Sequence, residues 1–180
     1  GRALAFAFAR RGARVALIAR NEERLEAVRR EIEPYSAEVL VVPADLTDEA
    51  QLESAVRRTL EHFGRIDVLV NNAGLSMGGP LADLDPARME RMLRLNLWAA
   101  VRLTQLVLPG MRARRSGYIM NIGSGAARVA VPYAAAYVAT KYGLAGFSDA
   151  LRRELGGSGV RVTLVNPSWT ATDMLTPETR

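Results

Sequence analysis

The chain has 180 residues, 49% of them hydrophobic and 24% charged, with a formal net charge of +5. That length suits one domain, and the balance excludes a disordered tail, a collagen-like repeat and a coiled-coil rod. Without cysteine there is no disulfide, thiolate metal site or cysteine nucleophile, and His62 as the one histidine leaves neither a metal site nor a histidine triad to expect.

Helical and strand patterns alternate along the chain. Arg2 to Arg11 is an alanine-rich helix ended by Gly12, and Arg14 to Ala19 (RVALIA) is a short apolar strand. Asn21 is placed to cap a charged helix over Glu22 to Ile32. Glu38 to Val42 is the next strand. A helix opens around Thr47, amid acidic Asp48 and Glu49, reaches His62 and stops at Gly64. Asp67 to Val70 is a buried strand. Asp85-Pro86 starts a helix with proline in its first turn, a pattern that runs to about Trp98 and resumes to Arg114. Gly117 to Ile122 is a strand, Ala134 to Leu155 a long helix, and Val160 to Val165 the last strand. Five strands joined by helices, with mostly uncharged strand cores, predict a parallel sheet covered by helices on both faces. The loops Gly74 to Asp83 and Gly123 to Tyr133 follow strand C-termini, where open parallel sheets bind ligands.

The positive charge is spread along the chain in short pairs such as Arg10-Arg11 and Arg114-Arg115, with no aromatic stacking platform, so a nucleic-acid partner is not expected. No run of 18 apolar residues exists, since Arg102 interrupts the best candidate, so no membrane-spanning helix is predicted. Of the 24 basic residues other than His62, Lys141 alone is lysine.

That lysine belongs to the strongest signal in the chain, Tyr137-x-x-x-Lys141. Residues four apart on a helix share a face. A phenol ordinarily holds its proton to about pH 10, and a neighbouring cation favours its ionised form. Such a tyrosine can give or take a proton at a carbonyl or alcohol oxygen. Ser124, placed after a strand, could hydrogen-bond the same oxygen. Asn71-Asn72-Ala73-Gly74 ends another strand, its small residues letting a flat ligand approach the backbone, and Asn96 is a polar residue in an apolar stretch.

Together these residues resemble the short-chain dehydrogenase/reductase family, whose motifs occur here in order: Asp45-Leu46, the Asn-Asn-Ala-Gly segment, Asn96, Ser124, Tyr137 with Lys141, then Asn166-Pro167. The resemblance implies a Rossmann-like doubly wound fold in a single domain over residues 1–180. Tyr137 matches the catalytic acid–base, Lys141 the lysine that tunes it and binds the nicotinamide ribose, Ser124 the serine that orients the substrate oxygen. Asn96 matches the asparagine that holds a water in a proton relay. Asn72, Ala73 and Gly74 match the segment lining the adenosine and ribose side of the cofactor, and Asp45 and Leu46 the pair at the adenine. Pro167, Thr170 and Thr172 match positions near the nicotinamide and diphosphate. Arginine replaces a compact ammonium poorly, which accounts for the lone lysine.

The family begins with a strand and a glycine-rich turn around the diphosphate. Gly1 matches the last glycine of that turn, so the sequence reads as an internal fragment of a longer enzyme, and residues 1–180 alone are expected to bind cofactor poorly. Ser168 stands where relatives usually have glycine, so the local turn is expected to differ. Gly123 stands where relatives often have serine, and is expected to be neutral. No acid stands at Ala19 to bind a ribose 2′-hydroxyl, whereas Arg20 can bind a 2′-phosphate, which favours NADP over NAD. The resemblance implies an oxidoreductase moving a hydride between nicotinamide and a carbonyl or secondary alcohol. The alternatives are a sugar-nucleotide epimerase or dehydratase and a non-catalytic dinucleotide-binding regulator. The loops hold apolar Val129, Ala130 and Val131, which favours a neutral substrate, with Arg128 as an attraction for an acid. A cytoplasmic homodimer or homotetramer, joined through the helices of Ala99 to Arg115 and Ala134 to Leu155, is expected.

Overall fold

The computed structural model describes residues 1–36 and 38–168. The chain divides into two units, residues 1–66 and 67–180.

In the first unit, helix α1 (Arg2–Ala9) is two residues shorter than its alanine-rich pattern predicts. Arg11 N–H and Gly12 N–H turn back onto Phe8 and Ala9, and Gly12 takes a φ of 72°. Strand β1 (Val15–Ala19) pairs in parallel with β2 (Val39–Pro43), from Val15 opposite Val39 to Ala19 opposite Pro43. Between them lies α2 (Glu22–Ile32), capped as expected: Asn21 Oδ1 accepts Arg24 N–H at 2.8 Å. Acidic Glu22 and Glu23 at its start and basic Arg29 and Arg30 at its end suit the helix dipole. Helix α3 (Glu49–Phe63) is capped by Asp48, which accepts Gln51 N–H at 2.9 Å. Thr47 stays outside it, donating its hydroxyl to Asp45 at 2.8 Å. The apolar faces of α1, β1 and α2 meet around Ala9, Leu17, Leu25 and Ile32, and Val42, Ala44 and Ala55 form a second cluster.

In the second unit, β3 (Val68–Asn71), β4 (Gly117–Ile122) and β5 (Val160–Val165) form a parallel sheet in that order. Val68 stands opposite Tyr118 and Ile122 opposite Val165. Helix α4 (Pro86–Leu93) begins as predicted, with Asp85 accepting Ala87 N–H at 3.1 Å. The helical pattern then passes through a π turn, Arg94–Trp98, before α5 (Ala99–Ala113). A π turn holds an extra residue and is a frequent mark of a functional site. Helix α5 packs on β3 and β4, and α6 (Ala135–Glu154) packs on β5 and the π turn. Met111, Ile119 and Leu144 are buried at the centre. The connection into β5 needs glycine: Gly159 has φ +84°, and a Cβ there would lie 2.0 Å from the Arg115 carbonyl oxygen. Among the described residues, β5 is not covered on both faces, because Arg161 is exposed and lays its guanidinium over the Tyr118 ring at 5.5 Å.

Parallel strands linked by helices make this a Rossmann-like α/β fold. Among the described residues, β1 pairs only with β2, and β3 only with β4. No helix of the described residues is long and apolar enough to cross a membrane.

Candidate active site

The carboxyl ends of β3, β4 and β5 lead into 72–80, 123–134 and 166–168, where parallel sheets hold their ligands. Helix α6 carries Tyr137 and Lys141 one turn apart. Tyr137 is half-buried, and Lys141 is 5% exposed. The Lys141 ammonium lies 5.7 Å from the Tyr137 ring centroid and donates to the Ile122 carbonyl at 3.1 Å. That carbonyl ends β4, two residues before Ser124. Burial strips water from the ammonium and lowers its pKa from 10.5 to about 8.

Asn96, in the π turn, is buried and bonded in three directions. Its Oδ1 accepts Leu75 N–H at 2.7 Å, while its Nδ2 donates to the Leu75 carbonyl at 2.8 Å and to Thr140 Oγ1 at 3.1 Å. The paired bonds to Leu75 pin the strand-end segment that contains Asn72, Ala73 and Gly74. Thr140 passes the restraint on, since its hydroxyl donates to the Tyr137 carbonyl at 2.7 Å. One connected set therefore joins the π turn, the segment after β3 and the helix turn between Tyr137 and Lys141. Thr140 is fully buried, and its place beside Lys141 was the only sequence signal for it.

Ser124 caps a short turn over Gly125–Ala127, its Oγ accepting Ala126 N–H at 3.2 Å. Its own N–H goes to Asn166 Oδ1 at 3.2 Å. Gly123 leaves room for the Asn166 side chain: a Cβ there would stand 2.1 Å from Asn166 Oδ1. Pro167 accepts Gly125 N–H at 2.9 Å, and Thr170 and Thr172 lie outside the described residues.

Below the site, a buried polar chain escaped sequence reasoning. Asn71 donates to Asn121 at 2.8 Å, Asn121 to Ser148 at 2.8 Å, and Ser148 to the Leu144 carbonyl at 2.6 Å. It ties the end of β3 through β4 to α6. Two loops form the rim. Gly79 N–H donates to the Tyr133 carbonyl at 2.7 Å, and Tyr133 takes a φ of 62°, which L residues rarely adopt. Leu81, Val129, Val131 and Tyr133 are exposed there.

The first unit holds the other expected cofactor residues. Arg20 follows β1, is exposed, and approaches Asp45 at 3.9 Å. Asp45 also accepts the N–H of Thr47 at 3.0 Å, Leu46 is half-buried, and the Gly1 carbonyl accepts Ala5 N–H at the start of α1.

The family model described as short chain dehydrogenase matches residues 1–180. The ketoacyl reductase HetN of Nostoc sp. strain PCC 7120 is 34% identical over 98% of this chain and 62% of its own. A dehydrogenase/reductase SDR family protein 7-like of Anopheles gambiae is 36% identical, over 94% of this chain and 55% of its own. The chain thus spans 55% to 62% of the length of these curated relatives. A metagenomic short-chain oxidoreductase crystallised with NADP superimposes with a TM-score of 0.89 at 39% identity, over 94% of this chain and 77% of that one. A short-chain dehydrogenase from Streptomyces avermitilis gives 0.86 at 30% identity, over 97% and 64%.

Proposed function

Because the chain belongs to the short-chain dehydrogenase family, we propose that it forms the catalytic part of an NADP-dependent carbonyl reductase or alcohol dehydrogenase with Tyr137 as general acid–base. The observation that carries this reading is the buried Lys141 ammonium beside Tyr137 on α6, held by the end of β4. In reduction, the Tyr137 hydroxyl gives its proton to the substrate oxygen, and the Lys141 cation stabilises the negative charge left on the ring oxygen. Ser124 Oγ already accepts Ala126 N–H, which leaves its own proton for the substrate oxygen. Asn96 and Thr140 hold the tyrosine turn against the segment after β3. A bound nicotinamide supplies the hydride to the carbonyl carbon, or accepts it in the reverse direction.

The residues fit that cofactor. An ammonium has three donors, and the Ile122 carbonyl takes one, so Lys141 keeps donors for a ribose hydroxyl. Asn72, Ala73 and Gly74 would line the adenosine and ribose side of the cofactor, and Pro167 would stand near the nicotinamide. In the first unit, Gly1 at the α1 N-terminus would serve the diphosphate, and Asp45 and Leu46 the adenine. Arg20 would bind a 2′-phosphate, since its side chain is exposed and its pairing with half-buried Asp45 is long and costs little to exchange. The NADP held by the metagenomic relative supports this preference. The family model runs through both units, which supports one dinucleotide-binding domain over residues 1–180.

The apolar rim supports a neutral carbonyl substrate, with Arg128 able to attract an acid. Exposed Trp98 and Tyr142, at the end of the π turn and on α6, support a homodimer or homotetramer. A cytoplasmic location completes the reading. The test is a panel of aldehydes, ketones and oxoacyl compounds offered to the full-length protein with NADPH and with NADH. Reduction of at least one, faster with NADPH, is expected. No oxidation of either nucleotide with any carbonyl would overturn the reading.

A further inference from the structure

Beyond residue 122 the β4–β5 ladder does not stop at once. Gly123 N–H donates to the Val165 carbonyl at 2.7 Å, and Gly125 N–H to the Pro167 carbonyl at 2.9 Å. Between these bonds a continued ladder would need an N–H from residue 167, and proline has none. Beside that break a side chain serves a different group: Asn166 Oδ1 accepts the Ser124 N–H at 3.2 Å. Proline at 167 favours an extended backbone at Asn166, which restricts where this side chain can reach.

The space it uses belongs to Gly123. A Cβ on residue 123 would lie 2.1 Å from Asn166 Oδ1 and 3.1 Å from Leu164 Cδ1. Any larger residue at 123 would therefore displace the oxygen that holds Ser124. Glycine at 123 and asparagine at 166 work as one unit. From these contacts we propose that Asn166 is a positioning residue for Ser124, its side-chain oxygen filling the volume over Gly123 and fixing the backbone that presents the Ser124 hydroxyl.

The inference rests on the reductase reading above, in which that hydroxyl meets the substrate oxygen. Ser124 Oγ is set by a bond from Ala126 N–H only two residues away, so a rotation of the Ser124 peptide carries the hydroxyl with it. Misplacement on the ångström scale is enough to lower turnover while the cofactor, held by other residues, binds unchanged.

The test compares Asn166→Leu, of similar size without an acceptor, with Asn166→Asp, which keeps the acceptor oxygen, in the full-length protein. Turnover is measured with NADPH and the best carbonyl of the panel, NADPH affinity by fluorescence, and amide hydrogen exchange at Ser124. Asn166→Leu is expected to lower kcat by about 10-fold and to speed Ser124 exchange, with NADPH affinity within about 2-fold, as misplacement alone predicts. Asn166→Asp should keep kcat and slow exchange near the parent values. Equal kcat loss in both variants, unchanged kcat in Asn166→Leu, or a matching loss of NADPH affinity would overturn the positioning role. If Asn166→Leu fails to fold, Gly123→Ala replaces it, since its Cβ evicts the same oxygen, and the same readings apply. Slow Ser124 exchange in a parent protein that reduces no carbonyl would instead overturn the reductase reading and leave the contact standing.

Discussion

Replacing Lys141 with methionine should abolish turnover and yet make the protein more stable at neutral pH. The ammonium is 5% exposed, and its pKa falls from 10.5 to about 8 because burial removes its water. About two and a half pH units of lost proton affinity, at ~1.4 kcal/mol each, mean that the charged lysine costs the folded state about 3 kcal/mol. Methionine keeps an unbranched apolar stem and removes that cost. It also removes the bond to the Ile122 carbonyl, worth about 1 kcal/mol. The net gain is about 2 kcal/mol. Between pH 8 and 10.5 the unfolded lysine binds more protons than the folded one, so parent stability rises with pH there. The advantage of the variant is therefore full below about pH 8 and gone by about pH 10.5, where the lost hydrogen bond leaves it slightly weaker. Urea unfolding of the parent and Lys141→Met full-length proteins at pH 7 and pH 10.5 measures both ends. A variant less stable at pH 7 by more than 1 kcal/mol, or a pH-independent difference, would refute the claim that Lys141 is held charged against its burial.

Two further outcomes follow from the site. Asn96→Leu leaves the half-buried N–H and carbonyl of Leu75 without their side-chain partner, at about 1 kcal/mol for each lost bond, so urea unfolding should register a loss of about 2 kcal/mol. A smaller loss would mean that Leu75 finds water instead. Arg20→Ala should weaken NADPH binding by about 1.5–3 kcal/mol, the scale of a hydrogen bond to a charged group, and leave NADH binding unchanged in calorimetric titration. Equal effects on both nucleotides would reduce Arg20 to a surface residue paired with Asp45.

Much of the fold was legible because its signals are local. The strands Gly117–Ile122 and Val160–Val165 and the helix Glu22–Ile32 stand where apolar runs, a cap and flanking glycines put them. Ends drifted where a side chain chose between roles: Thr47 bonds back to Asp45 and leaves the cap to Asp48. The π turn was hidden within one continuous helical pattern, because what it accommodates is Asn96 bonded to Leu75, a segment 21 residues earlier. The site divides in the same way. Tyr137 and Lys141 share one helix, so their proximity follows from spacing alone. Thr140 meets Asn96 across 44 residues and Ser124 meets Asn166 across 42, and no periodicity announces such pairs. The use of Gly123 is hidden in the same way, since the side chain that fills the space of its missing Cβ lies on another strand end.

If Tyr137 supplies the proton while other residues hold the cofactor, Tyr137→Phe in the full-length protein separates the two, since it keeps the ring over Lys141 and removes only the hydroxyl. NADPH affinity by fluorescence titration should stay within about 2-fold of the parent, and carbonyl reduction should fall by ~10²-fold or more, the scale of general acid–base catalysis. Turnover near the parent level, with affinity intact, would contradict the account.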